Sequence, residues 1–253
     1  MEVKKINLIG KGTGFIDILP LADVHVGSAE ADINYIKFLI NTVKDSDNTF
    51  AILGGDMIDC ALKGSVSDIY SATMNPQKQM DYVVQLLEPI KHKILLIMDG
   101  NHERRIRKDT SISPSWEIAN RLDIADKYTT TTALLNIAVG CYGTEQLYSV
   151  YVTHGSGGGA LPGGKLNKLM RAVQIVDADV YVQGHTHSPM VYRQSFFRTL
   201  SNGETKMVDK LFVNTGSTLS YGGYGDVFGF APASLSYPVI SLWTAEKKAT
   251  ATL

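Results

Sequence analysis

The 253 residues carry 24 basic and 25 acidic side chains, a net charge of −1, with 44% hydrophobic and 19% charged residues. That balance excludes a disordered chain, a collagen, a membrane bundle and a polycation that would hold nucleic acid over its whole surface. A chain of this length buries about three-quarters of the surface its unfolded form exposes, so no covalent staples are needed and a single domain over 1–253 is expected.

The first residues, MEVKKINLIGKG, hold an apolar run too short for a secretory signal, and no stretch approaches the roughly 18 apolar residues of a membrane span, so no membrane contact is expected. Cys60 and Cys141 fit reduced thiols, and a cytoplasmic location is expected. In chain order, INLI and FIDILPLAD read as strands around the Gly-rich GKGTG turn. Ser28 is the predicted cap of a helix running to about Val43, with Ile33, Ile36, Ile40 and Val43 at helical spacing. TFAIL is a short apolar strand that ends in GGDMID. Asn75-Pro76 opens a second helix with Met80, Val83, Leu87 and Ile90 on one face. ILLIM is a buried-type strand ending in DGNHE, and SPSWEIANRLDI is a shorter helix entered through Pro114. LYSVYVTHG, GGKLNKLMRAVQIVD and DVYVQGHTH read as strand, helix and strand, and the tail (MVYRQSFF, KLFVNTGS, PVISLWT) is strand-like. Alternating β and α elements predict an α/β fold with helices outside the sheets, and ligands bind such folds at the carboxyl ends of strands.

Five of these strands end in side chains that bind metals: Asp23 and His25 (DVH), Asp56 and Asp59 (GGDMID), Asn101 and His102 (GNHE), His154 (THG), and His185 and His187 (GHTH). Carboxylate, imidazole and amide oxygen suit manganese, iron, zinc, nickel or cobalt, with manganese the first expectation. These donors are more than one tetrahedral ion with an open position takes, and seven of them fit two divalent ions about 3.5–4 Å apart sharing a carboxylate. Such a pair lowers the pKa of a shared water from 15.7 to about 7, giving a bridging hydroxide nucleophile, and neutralises charge on phosphate oxygens.

As a set, the motifs resemble those of the calcineurin-like metallophosphoesterases across residues 23 to 187, with NTGS at 214–217 resembling a less specific later motif. The resemblance implies a four-layer α-β-β-α sandwich of two mixed sheets, with two metals at one edge. It implies that Asp23, His25 and His187 hold one metal, that Asn101, His154 and His185 hold the other, and that Asp56 bridges them. His102 would be the acid facing the leaving group, oriented by Asp59. The chain departs from the phosphoprotein phosphatases after GD-x-x-D, where Cys60 and Ala61 replace the Arg-Gly whose arginine grips phosphate. That departure argues against protein phosphatase activity.

Weaker features bear on the substrate. ERRIRK supplies Arg104, Arg105, Arg107 and Lys108 beside His102, either as a solvated helix or loop face or as a grip on phosphates flanking the scissile one. GSGGGALPGGKL nearly spells a phosphate-binding loop, but Leu166 stands where Ser or Thr is needed and Pro162 interrupts it, so it reads as a loop bordering the site, with Lys165 near the substrate. SYGGYGDVFGF at 220–230 reads as a surface loop with rings packed on the sheet, and base stacking is the alternative. Trp116, Trp243 and His92 read as core residues. The expected function is a two-metal phosphodiesterase acting on DNA or RNA. The alternatives are a small-molecule phosphodiesterase or phosphomonoesterase, and a non-catalytic interaction protein on the same scaffold.

Overall fold

The computed structural model describes residues 1–11, 14–63, 69–157, 159, 161–227, 229–232 and 234–253. Its strands are β1 (Glu2–Ile9), β2 (Phe15–Leu21), β3 (Thr49–Leu53), β4 (Ile94–Met98), β5 (Tyr128–Thr129), β6 (Ala133–Gly140), β7 (Gln146–Thr153), β8 (Val180–Gln183), β9 (Met190–Thr199), β10 (Thr205–Asn214), β11 (Val239–Trp243) and β12 (Ala249–Thr252). The helices are α1 (Ile33–Asp45), α2 (Pro76–Leu87), α3 (Asn101–Thr110), α4 (Pro114–Arg121), α5 (Pro162–Met170) and α6 (Gly223–Val227).

The strands form two mixed six-stranded sheets, ordered β1-β6-β7-β8-β10-β9 and β12-β11-β2-β3-β4-β5. Alternation along β3 shows how the layers arise. Phe50 and Ile52 face the other sheet, where they pack with Leu135, Ile137, Val150 and Val180. Ala51 and Leu53 face the opposite way, toward Ile36, Ile40 and Val43 of α1 and Val83 and Leu87 of α2. On the far side of the other sheet, Leu169 of α5 packs on Tyr151, Tyr181 and Phe212. The order is therefore helix, sheet, sheet, helix, and each fully buried Leu, Ile or Phe contributes about 1.5–3 kcal/mol.

Local chemistry sets the helix starts. Asp32 caps α1, its carboxylate accepting from the Tyr35 N–H at 2.9 Å, whereas Ser28, the expected cap, spends its hydroxyl on Glu30 Oε2 at 2.7 Å. Asn75 caps α2 with Pro76 in the first turn, as the sequence predicts. INLI and FIDILPLAD are strands but not partners. β1 runs parallel to β6, and β2 pairs with β3 and β11 in the other sheet, so the segment between them crosses from sheet to sheet. Part of that turn, residues 12–13, lies outside the described residues.

Three core expectations fail. Trp116 is 42% exposed in the first turn of α4. His92 is exposed on a short 3-10 helix, and Trp243 is half-buried under the Lys248 ammonium, 4.7 Å from its ring centroid. Tyr221 and Phe230 are about half exposed in the loop at 220–230, and Phe228 and the side chain of Tyr224 lie outside what is described. Both cysteines are free, Cys60 buried and Cys141 exposed. No helix among the described residues is long and apolar enough to cross a membrane.

Candidate metal centre

β2, β3 and β4 run parallel in one sheet, and β7, β8 and β10 run parallel in the other. Their carboxyl ends deliver DVH, GGDMID, GNHE, THG, GHTH and NTGS to a single edge. The turns there are tight. Eight non-glycine residues among those described have positive φ, and six of them (Asp23, His25, Asp56, Cys60, His185 and His187) lie in these turns. Strained backbone of this kind persists only where surrounding structure enforces it. Gly100 is required by close approach, since a Cβ on it would fall 2.0 Å from Asp56 Oδ1.

Three overlapping groups of ligand atoms result among the described residues: Asp23, His25 and His187; Asp56, His154 and His185; and, between them, His25, Asp56 and His102. The first two match the expected clusters. In the first, His187 Nε2 stands 3.3 Å from Asp23 Oδ1 and 3.2 Å from His25 Nε2, and His25 Nε2 is 4.0 Å from Asp23 Oδ1. In the second, His154 Nε2 is 2.9 Å from Asn101 Oδ1 and 3.3 Å from Asp56 Oδ2, and His185 Nδ1 is 2.8 Å from Asn101 Oδ1. Asp56 Oδ2 also lies 4.0 Å from His25 Nε2, between the clusters. Ligand atoms at 2.0–2.2 Å from one ion stand about 3–4 Å apart, the separations found here.

The hydrogen bonds test the fit to a cation. His154 Nδ1 donates to the Gly54 carbonyl at 2.9 Å, so in the neutral ring Nε2 carries a lone pair facing two oxygens. A proton or a metal ion must lie among those three electron-rich atoms. Burial opposes charge on the ring, but the Asp56 carboxylate outweighs it and raises His154 to about 9. Asp56 is also buried, yet the surrounding histidines hold it well below the usual carboxylate range. Burial lowers His25 and His185, which keeps both rings neutral and ready to bind metal. Asp23 Oδ2 accepts from the His185 N–H at 2.8 Å, while Oδ1 and His25 Nδ1 are buried without hydrogen-bond partners. Carboxylate, imidazole and amide donors of this kind fit divalent ions.

His102 lies beside the clusters. Its N–H donates to Asp56 Oδ1 at 2.8 Å, and its Nε2 is 3.7 Å from Asp56 Oδ2. Its Nδ1 donates to the main-chain carbonyl of Asp59. The Asp59 carboxylate, expected to orient the ring, is 3.5 Å from His102 Nδ1 and 3.8 Å from His25 Nδ1, and burial raises its pKa. The hydrogen bond from residue 59 is therefore made by its backbone.

Glu103 was not among the expected site residues. It is fully buried and accepts from Asp56 N (2.9 Å), Met57 N (2.8 Å), Ile58 N (3.2 Å) and Gly100 N (2.8 Å), stapling GGDMID to DGNHE. Burial and the charges of Asp56 and Asp99 push its carboxyl upward, while the four N–H donors, which both oxygens can accept only when ionised, hold the carboxylate. Its place three residues into α3 is a capping-box position that the sequence exposes. NTGS braces Asp23 from the other side, with Ser217 Oγ donating to the Asp23 carbonyl at 3.0 Å.

The family described as calcineurin-like phosphoesterase matches residues 16–189. The chain belongs to that family. The solved structure of Vps29 from Chaetomium thermophilum is similar at 12% identity, covering 95% of this chain and 96% of that chain, with a TM-score of 0.39. Comparison with curated proteins gives no match.

In this calcineurin-like phosphoesterase the basic residues beside the site divide by partner. Arg107 Nη1 lies 3.1 Å from the buried Asp99 Oδ2, and Arg104 Nη2 donates to the Asp99 carbonyl at 3.3 Å, so both turn toward the fold. Arg105 is close enough to Asp59 for its charge to act on that carboxyl, and Lys108 is exposed near the end of α3. Lys165 donates to the Thr186 carbonyl at 3.1 Å and to Ser188 Oγ, bracing GHTH from α5. In the Gly-rich loop before α5, residues 158 and 160 lie outside the described residues.

Proposed function

We propose that the chain is a two-metal phosphodiesterase. The observation carrying this reading is that Asn101 Oδ1 and Asp56 Oδ2 lie 2.9 and 3.3 Å from His154 Nε2, beside a second cluster whose Asp23 Oδ1 is buried and has no hydrogen-bond partner among the described residues. Asp23, His25 and His187 would hold one ion and Asn101, His154 and His185 the other, with Asp56 serving both. Divalent ions there would supply Lewis acidity toward a phosphoryl oxygen and acidify a water toward neutral pH. His102 holds and delivers the proton that the leaving oxygen needs. With Nδ1–H spent on the Asp59 carbonyl, Nε2 is the nitrogen that faces the reacting group. Glu103 keeps the two ligand-bearing turns at a fixed spacing.

Arg104 and Arg107 make their contacts with Asp99, and this supports reading a small diester, rather than a nucleic acid, as the substrate. The nucleic-acid reading keeps Arg105 and Lys108 as its only support from ERRIRK. Two free thiols suit a reducing compartment such as the cytoplasm. The test is a panel of bis(p-nitrophenyl) phosphate, p-nitrophenyl phosphate, cyclic nucleotides and single- and double-stranded DNA and RNA, with manganese added. Chelator-sensitive turnover of the diesters is expected. If manganese binds and no phosphoester turns over, the chain is a non-catalytic member of the fold.

A further inference from the structure

A groove of about 680 Å³ opens at the opposite edge of the sheets from the metal centre. β4 enters beside it at Ile94 and leaves toward DGNHE at Met98, so roughly 15 Å of strand separates the two places. Lys4 and Lys5, on opposite faces of edge strand β1, and Lys11 line one side of the groove, and His92, Lys93 and Lys127 contribute from the other. Two of the five lysines feel a nearby carboxylate: Glu2 pairs with Lys4, and the charge of Asp126 acts on Lys127. Lys5 and Lys11 have no side-chain partner among the described residues. Lys93 donates to the carbonyls of Val43, Lys44 and Ser46, and Lys127 to that of Lys91. Lys4 donates to the Asp126 carbonyl at 2.7 Å and pairs with Glu2 at 3.4 Å. Asp47 and Asp126 line the groove; neither carboxylate forms an ion pair with a lysine among the described residues, though the Asp126 charge acts on Lys127. Carbonyls satisfy ammonium hydrogen bonds but leave most of the charge, since even a helix C-terminus offers only about half a unit charge. Five lysines against Asp47, Asp126 and the Glu2 that pairs with Lys4 leave a net positive field in a chain whose net charge is −1.

We infer that this groove is a second, metal-independent anion site that takes an oligophosphate group. Facing cationic walls match an anion with several charges on adjacent groups better than carboxylates spread along a peptide. The floor is nearly closed, with Phe50 only 6% and Leu95 5% exposed, so it offers no pocket for a large apolar side chain. The inference does not rest on the catalytic reading.

The test is calorimetric titration of the full chain with inorganic tripolyphosphate at low and high salt. Saturable binding that weakens with salt is expected, and it should persist in Asp56→Asn, which disables the metal centre. Lys5→Glu/Lys11→Glu, at two exposed side chains, should weaken it by about tenfold or more. Lys78→Glu/Lys206→Glu, neither lining the groove, should not, and turnover of bis(p-nitrophenyl) phosphate should be unchanged in both pairs. Tighter binding of ATP than of tripolyphosphate would identify a nucleotide as the source of the phosphates, and equal binding the phosphate chain alone. Absence of saturable binding, its loss in Asp56→Asn, or full affinity in Lys5→Glu/Lys11→Glu would each overturn the inference.

Discussion

His102 and Glu103 are neighbours in the chain with different jobs, and the difference is measurable. His102 presents Nε2 toward Asp56 from a ring whose Nδ1 is held by a main-chain carbonyl. Removing a positioned general acid costs about 10²–10⁴ in rate, so His102→Ala should lose that much on alkyl diesters while still binding manganese. The loss should shrink for p-nitrophenolate, which departs without help, and equal losses on both substrates would argue against the acid role. Asp59→Asn leaves the carbonyl in place and removes only a carboxylate 3.5 Å away, so its cost should be smaller, about tenfold. Glu103→Gln is different, because an amide NH₂ cannot accept from the N–H groups that one carboxylate oxygen serves. The two turns should separate, and manganese titration should show affinity reduced about 10–100-fold. Unchanged affinity would mean that the turns hold their spacing without it.

At the scale of elements, α3 carries both site and support, and its basic residues should part accordingly. Among the described residues, Arg107→Ala leaves the buried Asp99 carboxylate with only Ser113 and Tyr128 as side-chain donors. An unfolding titration should register about 1–3 kcal/mol of lost stability, with no change in the salt dependence of oligonucleotide binding. Arg105→Ala/Lys108→Ala should leave stability intact and, if nucleic acid binds, flatten the salt slope by about 0.7 per lost phosphate contact on single strands. This division was not legible in ERRIRK, because the partner that turns Arg107 inward is buried only once β4 and α4 pack. What was legible followed from local chemistry: Asn75-Pro76 for the start of α2, the apolar runs of β3 and β4, and the motif at the end of each. β6 was missed although Ala133, Leu135, Ile137 and Val139 alternate inward with period two. The separation of β1 and β2 into different sheets was not readable, since a Gly-rich turn looks the same whether it closes a hairpin or crosses between layers. Glu103 was readable as a capping residue, but its contacts with GGDMID depend on how the turns meet.

Across the whole molecule, the metal edge is where the fold is least self-sufficient. Asp23 and Asp56 are buried carboxylates, and six non-glycine residues of the surrounding turns are left-handed. Each such conformation costs about 1 kcal/mol or more, and buried anions cost more still unless cations face them. The two sheets and their helices therefore hold this edge in a shape that bound ions would stabilise. An ion at 100 times its dissociation constant contributes about 2.7 kcal/mol per site, and for a chain of this size each kcal/mol moves Tm by roughly 2–4 °C. Chelation should lower Tm by on the order of 10 °C if both clusters load, and manganese should restore it. His25→Ala takes a ligand from one cluster and should keep about half of the shift, whereas Asp56→Asn, acting on both, should keep less. A Tm that ignores chelator and manganese alike would show that the converging donors are held by the fold alone, and the two-metal reading would fall with it.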